Sequence, residues 1–132
     1  MRRLFLYLLV LGLVGCATPY QSFELLGRGG YQEKRVGEDV YQVTYYGNHV
    51  TSMETINSLL LYRCAELTVN SGYSYFEVMK GYARMPTSSL GGFRIAEHTI
   101  KMSNNMSEEQ RTNMYSARKV IEQYGPQVGQ QK

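Results

Sequence analysis

The chain has 132 residues and a formal net charge of +3, and it contains 12 tyrosines but no tryptophan. This length accommodates one domain. Two of the positive charges, Arg2 and Arg3, lie in a predicted export signal, so a net charge of +1 is left for the rest of the chain. A nearly neutral domain argues against nucleic-acid binding, which requires a basic surface.

The first fifteen residues predict an export signal. Arg2 and Arg3 precede an apolar run over residues 4–14, which is too short for a permanent membrane helix. The run ends in the sequence LVGC at residues 13–16, which resembles the lipobox of bacterial lipoproteins. The resemblance implies cleavage between Gly15 and Cys16, diacylglycerol on the Cys16 sulfur and an acylated amino group. The alternative is an uncleaved signal anchor with an incidental cysteine.

The residue after Cys16 bears on the location of the protein. It is Ala17 rather than the aspartate that retains many lipoproteins at the inner membrane. By this resemblance we expect a lipid anchor in the outer membrane, with the domain facing the periplasm. Exposure on the cell surface stays open. Two or three acyl chains hold a protein stably on a bilayer, whereas one does not.

Four segments follow from this interpretation. Residues 1–15 are the signal peptide, and residues 16–30 are the lipidated cysteine with a tether that shows no periodicity. The tether reaches about 45–50 Å when fully stretched. Residues 31–126 form the domain, and residues 127–132 are predicted to be a frayed tail.

The domain is predicted to begin with a β-hairpin. Tyr41, Val43 and Tyr45 alternate with polar residues, which is typical of a half-buried strand. Gly37 indicates a turn between this strand and residues 31–36. The more polar residues 31–36 are expected to form an edge strand.

A helix is predicted from about residue 52 to residue 70. Thr51 and Glu54 have the spacing of a capping box at its start. Gly72 stands where a left-handed residue ends a helix. The apolar face of the helix consists of Ile56, Leu59, Leu60, Cys64 and Leu67.

The remainder predicts two strands and a second helix. Alternation indicates strands near residues 73–82 and 93–102, joined by a loop, and the second strand is expected at a sheet edge because neither of its faces is cleanly apolar. A capping box of Ser107 and Gln110 predicts a helix that ends at Gly125 and Pro126. The order β-β-α-β-β-α predicts an α+β, two-layer domain with two helices on one face of a small, mostly antiparallel sheet.

A recognisable pattern over residues 29–78 consists of Gly29, Gly30, Tyr31, Glu33, Gly47, Asn48, Thr51, Arg63, Ala65, Glu66, Leu67, Thr68, Gly72, Tyr73, Tyr75 and Phe76. With this pattern the chain resembles a family of short bacterial lipoproteins of uncharacterised function. The resemblance implies a lipid anchor and one small periplasmic domain, and it implies no activity. Residues 115–126 are also similar to the ends of those chains.

Catalytic and metal sites are not indicated by the sequence. His49 and His98 lack the spacing of metal ligands, and no nucleophile motif is present. Cys64 lies on the apolar helix face, where a buried small hydrophobe is expected. The alternative is a reactive thiol, which would need exposure and a positive neighbour such as Arg63.

Five residues are candidates for binding a partner. Tyr46, Tyr73 and Tyr82 are expected on the uncovered sheet face, where they form an aromatic platform, while Tyr41, Tyr45 and Tyr75 point inward beneath the helices. Core packing is an equal alternative for the tyrosines. Arg63 and Glu66 are helix neighbours that form either a surface ion pair or a polar anchor for a partner.

These features favour a non-catalytic, lipid-anchored envelope protein with an interaction or maintenance role. Its expected partners are the membrane, an envelope protein or peptidoglycan, and its oligomeric state stays open. No cofactor or metal is expected besides the lipid on Cys16. The alternatives are a lipid-anchored hydrolase or glycan-processing enzyme and a stress sensor that uses the Cys64 thiol.

Overall fold

The computed structural model describes residues 20–24, 29–85, 92–107, 109 and 112–129. The predicted signal peptide and Cys16 lie outside these residues. The described elements are β1 (Gly29–Arg35), β2 (Val40–Gly47), α1 (Met53–Asn70), β3 (Tyr75–Arg84), β4 (Arg94–Ser103), β5 (Met114–Ser116) and α2 (Ala117–Gly129).

The five strands form one antiparallel sheet in the order β1-β2-β4-β3-β5. Helix α1 lies on this sheet across β2 and β4, whereas α2 packs mainly on α1 and touches β5. The predicted α+β class with an antiparallel sheet is confirmed. Within the described part of the chain, neither helix combines the length and the apolar composition that a membrane span requires.

The core lies between α1 and one face of the sheet. All five residues of the predicted apolar face of α1 are buried, and Leu67, the most exposed of them, is 9% exposed. Each buried aliphatic or aromatic side chain contributes about 1.5–3 kcal/mol relative to its exposure to water. The strands complete the core with Val43, Tyr45, Phe76, Ala96, Ile100 and Met102.

Helix α1 begins one residue later than its predicted capping box. Ser52 is the N-cap, and its Oγ accepts a hydrogen bond of 3.1 Å from the Thr55 N–H. Thr51 is buried, and its hydroxyl donates to Asn48 Oδ1 over 2.8 Å. The predicted box of Thr51 and Glu54 is therefore wrong, because Thr51 is engaged with the preceding turn.

The end of α1 follows the prediction. Gly72 has a φ of 86°, and its N–H donates to the Val69 carbonyl, while the Tyr73 N–H donates to the Thr68 carbonyl. These two bonds form a Schellman motif, which satisfies carbonyls left unpaired at a helix end. A left-handed residue was required here, and glycine adopts that conformation without steric strain.

Strand β4 lies inside the sheet, between β2 and β3, so the prediction of an edge strand is wrong. One face of β4 contacts α1, whereas the opposite face carries polar side chains that pair across strands. Strand β3 carries a bulge between Val78 and Lys80. Because β5 pairs only with Tyr75–Glu77, the outer edge of Lys80–Arg84 has no strand partner among the described residues.

The second helix differs most from its prediction. Met114–Ser116 pairs with β3 as strand β5, and α2 begins only at Ala117. Ser107 lies outside any helix, and Gln110 lies outside the described residues. Pro126 sits within α2 rather than at its end. The predicted frayed tail is helical as far as Gly129, because Val128 is buried in the core.

Residues 20–24 cross the outer edge of β1, and we call this segment the strap. The Tyr31 N–H donates to the Gln21 carbonyl and the Phe23 N–H donates to the Tyr31 carbonyl, both over 2.8 Å. Gly29 and Gly30, which the sequence placed in the tether, belong to β1. The described part of the expected tether is therefore docked on the domain.

Gly30 makes this crossing possible. Its φ is 130°, and a Cβ at this position would lie 2.7 Å from the carbonyl carbon of Ser22. Any side chain would therefore displace the strap backbone, while the positive φ strains other residues as well.

We predict that Gly30→Ala lowers the free energy of unfolding by about 3 kcal/mol, because strain and collision with the strap add. Gly72→Ala is the matched control: its φ is also positive, but its Cβ would meet open space, so about 1 kcal/mol is expected. Urea unfolding followed by circular dichroism measures both values. Equal losses in the two variants would contradict a tightly docked strap.

Candidate functional site

Arg63 of α1 joins the helix to the edge of the sheet. Its Nε donates to Glu33 Oε2 over 2.8 Å, and its Nη2 lies 2.6 Å from Glu33 Oε1. This two-point contact with β1 is the strongest geometry available to an arginine and a carboxylate. The Arg63 side chain is 15% exposed and that of Glu33 is 28% exposed, so solvent screens the pair only in part.

Glu66 extends the contact to the strap. Arg63 Nη1 donates to Glu66 Oε2 over 3.1 Å, and the Tyr20 hydroxyl donates to the same oxygen. The predicted Arg63 and Glu66 pair is therefore present, and it is engaged by Glu33 and Tyr20 of the same chain. We call Arg63, Glu33, Glu66 and Tyr20 the Arg63 network.

Aromatic rings enclose the Arg63 network. The guanidinium carbon of Arg63 lies 4.2 Å from the centre of the Tyr31 ring, which is a cation–π contact. The Tyr20 ring lies 5.1 Å from that of Tyr31 and 5.3 Å from that of Tyr62, centre to centre. Burial of Tyr20, followed by its bond to Glu66, raises the pKa of its hydroxyl. Tyr20 therefore stays a hydrogen-bond donor.

Arg63 also keeps its positive charge. Burial lowers the pKa of its guanidinium, but the bonds and charge of Glu33 outweigh burial and raise the pKa above its usual value. The network thus holds a permanent cation between two carboxylates. Its hydrogen bonds join α1, β1 and the strap.

We predict that Arg63→Met lowers the free energy of unfolding by about 2–3 kcal/mol, since Glu33 and Glu66 lose their shared cation. Arg63→Lys should recover only part of this loss, because an ammonium group cannot make the two-point contact. Arg118→Met, at an exposed position of α2, is the control. Urea unfolding measures the free energy of unfolding of each variant. Equal losses for Arg63→Met and Arg118→Met would refute the role of the Arg63 network.

The sheet face opposite α1, which we call the open face, presents polar and aromatic side chains. The strand register places there Gln42, Thr44 and Tyr46 of β2, Ile95, Glu97 and Thr99 of β4, and Tyr75 and Glu77 of β3. Beyond the bulge in β3, Tyr82 lies on the same face because it pairs with Glu97.

The predicted tyrosines divide between the two faces. Tyr46 and Tyr82 lie on the open face, with Tyr82 52% exposed. Tyr45 is buried beneath α1, and Tyr41 packs against the core from the same face. Tyr75 lies on the open face, which corrects the inward expectation, because its neighbour Phe76 takes the core side.

Tyr73 also differs from its prediction. It precedes β3 rather than lying on the open face, and its hydroxyl donates to Asp39 Oδ1 in the turn between β1 and β2. Tyr73 packs partly buried against the core, so it belongs to the end of the sheet.

Glu97 occupies a groove on the open face. Its Oε1 accepts from Gln42 Nε2 over 2.7 Å, and its Oε2 accepts from the Thr44 hydroxyl over 3.0 Å. The groove has a volume of about 320 Å³. Its lining residues are Gln32, Glu33, Lys34, Gln42, Thr44, Tyr46 and Glu97. Amide, hydroxyl, carboxylate and ammonium groups can bind a polar ligand by hydrogen bonds.

Phe23 of the strap closes one end of the open face. Its ring lies 4.3 Å from that of Tyr46 and 5.6 Å from that of Phe93, centre to centre. The sequence did not predict this contact, because residues 16–30 show no periodicity. The available signal was the aromatic residue itself within a glycine-rich stretch.

Cys64 is fully buried in the core, as predicted for a small hydrophobe. Burial raises the pKa of its thiol, and the nearby Arg63 offsets this only in part. A sensor thiol needs exposure and a lowered pKa, and Cys64 has neither.

We predict that a thiol reagent modifies Cys64 only after unfolding, because the reagent needs an accessible thiolate. The measurement is the rate of colour release by a disulfide reagent, with and without denaturant, on protein whose Cys16 is replaced by serine. Rapid reaction of the folded protein would restore the sensor hypothesis.

The two histidines stay apart from any ligand cluster. Among residues 20–24, 29–85, 92–107, 109 and 112–129, no group of three or more His, Cys, Asp or Glu side chains is placed to hold a metal ion. His49 is exposed in the turn after β2, and burial lowers the pKa of His98 on the core side of β4.

Comparison of the chain with protein-family models, with curated proteins and with solved structures finds no match.

Proposed function

We propose that this protein is a non-catalytic, lipid-anchored protein of the bacterial cell envelope whose domain binds an envelope partner at its open face. The observation that carries the proposal is Cys16, placed directly after an apolar run and Gly15. The short run fits an export signal rather than a membrane helix. Ala17 favours the outer membrane, with the domain in the periplasm.

The open face supports a binding role. Glu97, Gln42 and Thr44 form a polar centre in the groove, and Tyr82 is exposed on the same face. Polar groups beside tyrosine rings suit an extended polar partner, either a protein segment or a peptidoglycan strand. No cofactor enters this proposal.

The hydrogen bonds that hold three carboxylates also favour binding over catalysis. Glu97 is held by two uncharged donors, and Glu33 and Glu66 are both held by Arg63. Hydrolysis by paired carboxylates requires one acid with a proton and a second facing the same substrate. These three carboxylates are instead committed to neighbours in the fold.

We predict that Cys16→Ser releases the protein from the membrane fraction, because the thioether to lipid cannot form. Cys64→Ala is the matched control, since it removes the chain's other cysteine and leaves the anchor intact. Fractionation of cells and the mass of the mature N-terminus give the readout. Retention of Cys16→Ser in the membrane with an unchanged mass would contradict the proposal.

A second prediction concerns the partner. A photo-crosslinking residue at Gln32 or Tyr82, both exposed on or beside the open face, should capture one reproducible protein or peptidoglycan adduct in living cells. The same residue at Val50, which is 51% exposed in the turn before α1, should not. No adduct from either position, or equal adducts from all three, would refute binding at the open face.

A further inference from the structure

The strap is fastened on both faces of the sheet. Tyr20 packs on the α1 side, where it contacts Tyr31, Tyr45 and Tyr62. Phe23 packs on the open face against Tyr46. Between them, two backbone hydrogen bonds join the strap to Tyr31 of β1. The chain therefore wraps around the edge of the sheet.

Tyr20 begins the described part of the strap. Its ring is held by three tyrosines and its hydroxyl by Glu66. The polar and the apolar part of the side chain thus both have partners, which favours the docked position over a free tether. The glycine at position 30 leaves the space through which the strap passes.

The docked position of Tyr20 limits how far the domain can lie from Cys16. Three residues separate Cys16 from Tyr20, so their Cα atoms lie at most about 14 Å apart. If the strap were undocked, the chain between Cys16 and Tyr31 would reach about 50 Å. Docking therefore removes most of the freedom expected of the tether.

We propose that the strap holds the domain on the lipid headgroups of its own membrane, with the β1 edge and Tyr20 toward the bilayer and the β3–β5 edge away from it. This inference rests on the proposed lipid attachment at Cys16. The described surface near the strap suits hydrated headgroups rather than hydrocarbon, because its exposed side chains are polar: Ser22, Glu24, Gln32 and Lys34.

The sheet then stands outward from the membrane. Neighbouring strands lie about 4.8 Å apart, so β5 is about 19 Å from β1 across the sheet. The groove around Glu97 lies between these edges. A partner would therefore reach the open face from the side, parallel to the membrane surface.

The chain lacks tryptophan, which makes single tryptophans clean probes of height above the bilayer. Lys34→Trp would report from the β1 edge and Lys80→Trp from the far part of the sheet, both at exposed positions and with the same loss of charge. The mature lipoprotein is reconstituted in phosphatidylcholine vesicles with a dansyl-labelled headgroup lipid. We expect energy transfer from Lys34→Trp to exceed that from Lys80→Trp by about twofold or more.

Variants that release the strap test whether its docking causes the difference in energy transfer. Tyr20→Ala combined with Phe23→Ala removes the side-chain contacts of the strap on both faces of the sheet, and it should make the transfer from the two probes nearly equal. Tyr20→Phe keeps the ring contacts and should retain most of the difference. Circular dichroism verifies that each variant is folded. Equal transfer in the parent protein, or a difference that the double variant leaves unchanged, would overturn the inference.

A protein without the lipid anchor would give a different experimental result. If Cys16 carried no lipid, the mass of the N-terminus would show it and neither probe would float with vesicles. That result would refute the proposed function together with this inference. A lipidated, vesicle-bound protein with equal transfer from both probes would refute the inference alone.

Discussion

The contact between Arg63 and Glu33 is the constraint on which the β1 side of the molecule depends. A half-buried guanidinium is unfavourable unless its donors are satisfied. Here Glu33 takes two of them and Glu66 another, while Tyr31 covers the face of the group. The same Glu66 oxygen accepts from Tyr20. One cation therefore fixes the helix, the edge strand and the incoming chain relative to one another.

The two faces of the sheet differ in their chemistry. On one face, apolar side chains are covered by α1 and supply most of the folding energy. On the other, polar side chains bond across strands, as in the pairing of Glu97 with Gln42 and Thr44. Under the proposed function, changes on the open face would alter binding at little cost in stability, provided that Glu97 keeps its donors.

Local patterns in the sequence predicted local structure well. The apolar face of α1, the hairpin of β1 and β2 and the helix end at Gly72 depend on neighbours within a few residues. The exclusion of Cys64 from surface chemistry followed from the same helix periodicity. The resemblance to short lipoproteins and the role of Cys16 stay predictions, since Cys16 lies outside the described residues.

Long-range contacts account for the errors. Met114–Ser116 has helical neighbours in the sequence, but pairing with β3 outweighs that preference. Pro126 was expected to stop α2, yet the burial of Val128 favours one more turn. The strap could not be predicted because its two aromatic residues bind opposite faces of a sheet formed by residues far along the chain.

Among the described residues, Lys80–Arg84 of β3 has an outer edge without a strand partner, and this matters for the proposed lipid anchor. Copies anchored in one membrane would diffuse in two dimensions, where an open strand invites edge-to-edge association. Lys80 and Arg84 place positive charge along this stretch, and the bulge after Val78 disturbs its regular hydrogen-bonding pattern. Both features oppose the growth of continuous sheets between neighbouring copies.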